Sequence, residues 1–277
     1  MNSIEYDVNK AIDIIMDCEP KSSYFEKYDH IYAGSNEYLN EFFYHIKVTN
    51  KDVLTVCSSG DHALYSINSG ARNVDLFDIN CLTKYYYVLR LWFIKYFQIY
   101  SLIKLDLYSY IKKLLECVCP KNDIEKECYE FWSLFIKLAN KNKVYKLFNY
   151  GRPNNIIDNL ETISSFSNYN DFSFYNVDIS KNTDSICKKY DVIFLSNIHE
   201  YVNIINLCMF RDNIYKLLND DGIAVMSIFM NFPDERREIL EESFEVMDIP
   251  EYNYFEEYDC SVGYVLKKRR KINERCK

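Results

Sequence analysis

Short apolar runs of strand length alternate along the chain with longer stretches in which apolar residues recur every three or four positions. This alternation predicts βαβ units wound into a mostly parallel sheet. Val53-Leu54-Thr55-Val56-Cys57 reads as a buried strand stopping at Ser58-Ser59-Gly60. Asp61 to Ser69 has the length of a two-turn helix, closed by Gly70, and Asn73 to Ile79 reads as the next strand. A long amphipathic helix follows, with Leu82, Tyr85, Tyr86, Leu89, Trp92, Phe93, Tyr96 and Phe97 on one stripe and Lys84, Arg90 and Lys95 interleaved. An aromatic stripe at that spacing belongs to a core.

From Leu102 to Leu147 the pattern stays helical, punctuated by Pro120 and Asp123, and it continues as helix or loop through Gly151-Arg152-Pro153 to Asn170. Residues from about 100 to 170 therefore read as a helical insertion covering the carboxyl edge of the sheet. Strand signals resume at Phe172 to Ile179, Tyr190 to Leu195 and Gly222 to Ile228. A helix from Ile204 to Leu218, ending in the turn Asn219-Asp220-Asp221-Gly222, separates the last two. A further helix runs from Pro233 through Phe244, and Tyr252 to Tyr258 and Ser261 to Lys267 read as an antiparallel strand pair closing the sheet. With no Pro/Gly/Ser linker and no internal repeat, the expectation is one α/β domain over 1–277, Rossmann-like, with an insertion.

Composition narrows the chemistry. Among 277 residues there are six glycines, where ordinary usage would give about twenty. That excludes collagen-like chains, Gly-rich linkers and the three-glycine pyrophosphate loop. A net charge of −8 argues against a phosphate-tracking surface, so no nucleic-acid partner is expected. The exception is the basic tail, 267–277, carrying Lys267, Lys268, Arg269, Arg270, Lys271, Arg275 and Lys277. It reads first as a solvated terminus and second as a peripheral contact with an anionic membrane or nucleic acid. No apolar run nears the roughly 20 residues of a membrane helix, and the opening Met1-Asn2-Ser3-Ile4-Glu5 has no signal pattern, so a cytoplasmic protein is expected. Ten scattered cysteines, Cys57, Cys187 and Cys208 among them, read as buried thiols rather than disulfides. Cys117, Cys119 and Cys128 fit no zinc spacing, and no metal is expected.

In an open parallel sheet, ligands bind outside the carboxyl ends of the strands. Four such ends carry polar residues. Ser58-Ser59-Gly60-Asp61-His62 is a strand, tight turn and helix start where a ligand can approach the backbone. Asp78, 18 positions after Gly60 and followed by Ile79-Asn80, suits a carboxylate that accepts both hydroxyls of a ribose. Asp178, with Ile179 beside it, suits an exocyclic adenine amine with an apolar neighbour packed on the ring. Ser196-Asn197-Ile198-His199-Glu200-Tyr201 is a polar cluster directly after a buried strand. Each has a plainer reading: acids end strands by chance, a His in a first helical turn is often a surface residue, and Glu200 serves equally as a cap. Four in this order point to an adenosine ligand.

These segments, with Val53-Leu54-Thr55-Val56-Cys57, Ala63-Leu64, Gly70-Ala71-Arg72 and Tyr87-Val88-Leu89-Arg90-Leu91, resemble the S-adenosylmethionine:diacylglycerol 3-amino-3-carboxypropyltransferase family of betaine-lipid synthesis. Ser196-Asn197-Ile198-His199-Glu200-Tyr201 resembles that family's Ser-Asn-Ile-x-Glu-aromatic element, and together the segments cover about a quarter of the chain. The resemblance implies a class I methyltransferase sheet with S-adenosylmethionine as co-substrate. It implies that the Ser58 to His62 turn holds the methionine moiety, Asp78 with Ile79 and Asn80 the ribose, Asp178 with Ile179 the adenine, and that Ser196 and Asn197 face the sulfonium. The chain is shorter than the family's lipid enzymes, and the region from Leu102 to Tyr169 matches nothing in them.

The reaction expected is in-line displacement at the sulfonium, controlled by position and water exclusion. Attack at the γ-carbon transfers an aminocarboxypropyl group to a small-molecule or lipid acceptor; attack at the methyl carbon is the alternative. A hydroxyl acceptor needs a base, for which His199, Glu200 and His62 are the candidates. A binding module that keeps the adenosine pocket without catalysis is the alternative of another class. Tyr28-Asp29-His30-Ile31-Tyr32 reads either as a lid over the cofactor or as packing outside the sheet.

Overall fold

The computed structural model describes residues 3–16, 30–35, 37, 39–99, 102, 105–149, 171–228, 233–249 and 262–269. In chain order the elements begin with α1 (Ser3–Met16), β1 (Ile31–Tyr32), α2 (Leu39–His45), β2 (Asp52–Val56), α3 (Asp61–Asn68), β3 (Asn73–Asp78) and α4 (Leu82–Phe97). Then come α5 (Leu107–Cys117), α6 (Asp123–Leu138), a 3-10 segment Lys141–Leu147, β4 (Phe148–Asn149), β5 (Phe174–Asn176), β6 (Tyr190–Ser196) and α7 (Ile198–Tyr201). The chain continues with α8 (Ile204–Leu217), β7 (Leu218–Ile228), α9 (Asp234–Glu241), β8 (Phe244–Asp248) and β9 (Val262–Lys268).

Among the described residues, seven strands form one sheet in the order β5-β3-β2-β6-β7-β9-β8. β2 pairs in parallel with β3 and β6, and β6 with β7, whereas β9 runs antiparallel to both β7 and β8. The chain winds outward from β2 to one edge, returns to β6 and winds toward the other, so the order reverses between β2 and β6. This is a Rossmann-like, mostly parallel sheet with an antiparallel C-terminal pair.

The chain divides into two compact units, each discontinuous in sequence. The first comprises residues 1–36, 57–64 and 78–176; the second comprises 37–56, 65–77 and 177–277. In the first, the aromatic stripe of α4 is a core as expected, with Leu82, Tyr85, Tyr86, Leu89, Trp92 and Phe93 buried among residues of α1, α5 and α6. Tyr85 stacks on Phe131 with ring centroids 3.9 Å apart, and Trp132 Nε1 donates to the Tyr85 carbonyl at 2.9 Å. Helix α6 starts where Asn122 Oδ1 accepts the Glu125 N–H and the Glu125 carboxylate accepts the Lys121 N–H, a reciprocal cap after Pro120. The described part of the insertion is thus an integral helical layer of this unit. A two-residue parallel ladder joins β1 to β4.

In the second unit the central strands are buried nearly end to end, as a covered parallel sheet requires. Gly70 lies at φ +81° behind α3, with its N–H on the Ile67 carbonyl and that of Ala71 on the Ser66 carbonyl, so the predicted stop is a Schellman turn. At the amino end of the strands, Asp75 accepts from the Tyr190 hydroxyl and Lys188, each at 2.9 Å.

Four expectations need correction. The strand expected from Phe172 to Ile179 is only Phe174–Asn176, because Asp178 Oδ1 accepts from Ser180 N–H and Oγ and turns the chain. The helix expected to reach Phe244 ends at Glu241, and Phe244 instead opens β8, which takes the place beside β9 assigned from sequence to Tyr252–Tyr258; that segment lies outside the described residues. The turn expected at Asn219 to Gly222 is part of β7, entered through a register shift opposite Tyr190 and Val192. The basic tail does not begin free: Lys267 and Lys268 belong to β9, and Lys268 Nζ donates to the Leu218 carbonyl at 3.2 Å and lies 4.2 Å from the Tyr215 ring centroid. Residues 270–277, 150–170 and 28–29 lie outside the described residues.

The cysteine reading also changes. Cys57 and Cys128 are buried, but Cys187, in the loop before β6, and Cys208, on α8, are exposed, as are Cys117 and Cys119; all are free thiols. Among the described residues no group of three His, Cys, Asp or Glu side chains is placed to hold a metal, and no helix is long and apolar enough to cross a membrane.

Candidate functional site

Chain geometry after β2 is set by a pair of unusual backbone conformations. Ser58 has φ +44° and Gly60 φ +82°, so the chain reverses within three residues before α3 begins. A non-glycine residue at positive φ costs energy and persists only where its surroundings demand it. Here the demand is visible. The Ser58 N–H donates to Asp78 Oδ2 at 2.7 Å, and the Gly60 N–H to the Cys57 carbonyl. A Cβ on Gly60 would lie 2.6 Å from the Tyr87 ring, so the turn is pressed against α4 as well as bent.

Asp78 is the pivot of this group. Oδ1 accepts the Asn80 N–H at 2.9 Å while Oδ2 holds Ser58, and the Thr83 side chain and the Ile79 N–H also act on the carboxylate. Burial pushes its pKa up from 3.8 to about 6, against the pull of the Asn80 and Ser58 N–H groups. Asp78 and Asn80 are buried, yet Ile79 between them is 55% exposed. Asn80 is chiefly structural: its Oδ1 accepts the Leu82 N–H at the start of α4, and its Nδ2 donates to the His30 carbonyl at 3.2 Å. Asn176, at the end of β5, donates from Nδ2 to the carbonyls of Asp78 and Ile79. Sequence reasoning missed it, and a carboxamide next to a strand end was the only signal.

Ser59 and Asp61 turn inward. Asp61 is 1% exposed and pairs with buried Arg90, whose Nη1 lies 2.7 Å from Asp61 Oδ1 and 2.6 Å from the Ser59 carbonyl. His62, in the first turn of α3, is buried. In the first unit, then, the structure brings Ser58, Ser59, Gly60, Asp61, Asp78 and Asn80 into one hydrogen-bonded group, with Arg90 added.

The second unit carries the other sequence-predicted residues. Ser196, at the end of β6, has φ +52°, a strained position like that of Ser58. Asn197 Nδ2 donates to Glu200 Oε2 at 2.9 Å and to the Tyr201 hydroxyl at 3.3 Å, so Ser-Asn-x-x-Glu-Tyr closes on itself around the single turn α7. His199 is fully buried; its pKa is pulled down to about 3 by burial and then by the charge of Arg236, whose Nη1 donates to the His199 carbonyl at 2.6 Å. Glu200 is half-buried. Asp178 holds Ser180 and lies 2.9 Å from Lys181 Nζ; burial raises its pKa, but these partners outweigh it and the carboxylate sits below its usual range. Ile179 is buried, with its carbonyl accepting from Asn213 Nδ2.

No protein-family model matches the sequence, nor does any curated protein sequence. The likeness found is to solved methyltransferase structures. A TehB-like S-adenosylmethionine-dependent methyltransferase from Corynebacterium glutamicum is 12% identical over 80% of this chain and 82% of its own, with a TM-score of 0.43. The N-methyltransferase NodS from Bradyrhizobium japonicum, in complex with S-adenosyl-L-homocysteine, is 9% identical over 95% of this chain and 99% of its own, with a TM-score of 0.43. A putative rRNA methylase from Clostridium thermocellum is 10% identical over 86% of this chain and 98% of its own, with a TM-score of 0.44.

Proposed function

We propose that this chain is an S-adenosylmethionine-dependent alkyl transferase. The observation that carries the reading is the group at the ends of β2 and β3, all within the first unit: Asp78 bridges the strained Ser58 turn and Asn80, with exposed Ile79 beside it. A carboxylate at a strand's carboxyl end, next to an exposed apolar side chain, suits a ribose bearing a base. One glycine close to α4, rather than a glycine-rich loop, suits a ligand with no phosphate to cradle. The turn from Ser58 to His62 takes the methionine end in this proposal. For Asp178, Ile179, Ser196 and Asn197, which belong to the second unit, the adenine and sulfonium roles rest on the sequence resemblance alone, each to be tested by its own variant.

Methyl transfer is the first reading, because the methyl carbon is the least hindered of the three sulfonium carbons for in-line attack. Aminocarboxypropyl transfer is the second, supported by the closed Asn197, Glu200 and Tyr201 cluster that carries the resemblance. As a base for a hydroxyl acceptor, half-buried Glu200 suits better than His199, whose imidazole is buried and resists a proton at neutral pH. The acceptor proposed is a small molecule or lipid.

Calorimetric titration with S-adenosylmethionine, followed by product analysis with candidate acceptors, tests this. Binding with release of S-adenosylhomocysteine supports methyl transfer, and methylthioadenosine supports the second reading. Binding without either product supports a binding module, and no binding overturns the proposal. Asp78→Ala is expected to weaken binding at least about ten-fold, the cost of charge-assisted hydrogen bonds; retained affinity would displace the ribose site from Asp78.

A further inference from the structure

Three segments of the first unit, far apart in sequence, converge on the carboxylate of Asp61. Oδ1 takes Arg90 Nη1 from α4 at 2.7 Å. Oδ2 takes the Ser35 N–H at 2.6 Å, from the segment after β1, and the Ser59 hydroxyl at 2.8 Å, from the turn itself. Arg90 also reaches the turn's backbone, donating to the Ser59 carbonyl at 2.6 Å. The same face of α4 holds the flanking parts. The Tyr86 hydroxyl donates to the Ala33 carbonyl at 2.8 Å, and the Tyr87 ring fills the space beside Gly60. At its other end the N-terminal segment is held by Asn80, through the His30 carbonyl.

A buried ion pair is a weak device for stability alone, since an apolar pair of similar volume serves as well. What an Arg and a carboxylate supply is direction. Here the directed bonds end on the turn's carbonyl, the turn's hydroxyl and the backbone N–H of a separate segment. We propose that Arg90 is a positioning residue: through Asp61 and the Ser59 carbonyl it holds the Ser58–Asp61 turn in its strained shape and ties to it the segment His30–Ser35, so that turn and segment receive the ligand as one piece. The inference rests on the S-adenosylmethionine reading above. Preorganising the turn lowers the ordering cost of binding at that end of the ligand only.

The test compares S-adenosylmethionine with 5′-methylthioadenosine, which keeps the nucleoside and lacks the amino-acid end. Arg90→Lys keeps the charge but loses the guanidinium geometry. It is expected to weaken S-adenosylmethionine roughly ten-fold or more while changing methylthioadenosine less than about three-fold, as removal of a directed charged hydrogen bond at one end implies. Gly60→Ala pushes the same turn from the Tyr87 side without touching the ion pair and should shift the ratio in the same direction. Equal weakening of both ligands, or no change in either, overturns the inference while leaving the S-adenosylmethionine reading intact; failure of the wild-type chain to bind S-adenosylmethionine removes both. Hydrogen exchange on the wild-type protein needs no variant: S-adenosylmethionine should protect peptides covering residues 30–35 together with those covering 57–64. Protection of the turn alone would break the proposed tie.

Discussion

Asp78 and His199 show how one residue's surroundings change its chemistry. The Asp78 pKa is raised to about 6, so its protonated form is favoured in the folded chain. The stability this contributes is fully present below pH ~4 and is lost as pH rises through about 6, a swing of about 3 kcal/mol for a shift of this size. His199 has the opposite sign: with a folded value near 3, its contribution is present above pH ~6.5 and is lost as the pH falls toward 3. The two windows overlap, so the wild-type profile partly cancels between pH 4 and 6 and variants must separate them. Urea unfolding of His199→Gln is expected to lose less stability than wild type below pH 6.5, by up to about 1.4 kcal/mol per pH unit; parallel curves would mean the imidazole is already protonated or solvated. A ligand that donates hydroxyls to Asp78 favours its ionised form, so affinity for S-adenosylmethionine should rise between pH 5 and 7 in wild type. That rise should be absent from Asp78→Asn.

At the scale of elements, periodic pattern and caps were legible and pairing was not. The α4 stripe, the α3 stop at Gly70 and the strands around Val53, Val74 and Ile193 could be read from spacing alone, because each depends on residues within a few positions of one another. β5 failed in part, since the local bonds that the Ser180 N–H and hydroxyl donate to Asp178 ended the strand earlier than apolar content suggested. β8 failed because a short polar-apolar run, Phe244-Glu245-Val246-Met247-Asp248, becomes a strand by pairing with β9. The insertion's helices are held by long-range contacts centred on Trp132, fully buried and bonded to the Tyr85 carbonyl. Trp132→Ala should therefore destabilise the chain by about 3–5 kcal/mol in chemical denaturation. A cost under ~1 kcal/mol would show that α6 is an appendage.

For the molecule as a whole, the net charge of −8 predicts weak attraction to anionic surfaces, and the structure shortens the one basic exception. Lys268 is 9% exposed and fastened over Tyr215, and the Arg269 N–H donates to the Ser243 carbonyl at 3.0 Å. Sedimentation with phosphatidylserine-containing vesicles at about 0.15 M salt is expected to pull down no more protein than neutral vesicles do. Strong, salt-sensitive binding would return the tail to the membrane reading.

The sequence by itself determined which segments are strands and helices where the signal is local, and it marked the strand ends that carry Ser58, Asp78 and Ser196 as the places to look. That follows from physics: hydrophobic period, turn glycines and caps act over a few residues, and an α/β sheet puts its polar strand ends on one edge. Only the tertiary structure decided that Ser58 and Gly60 are held at positive φ, that Asp61 pairs with Arg90 and Ser35, and that the His199 imidazole is buried beyond easy protonation. Each of those depends on partners 20 to 37 positions away, and the burial that sets the Asp78 and His199 pKa values exists only once the chain has closed around them.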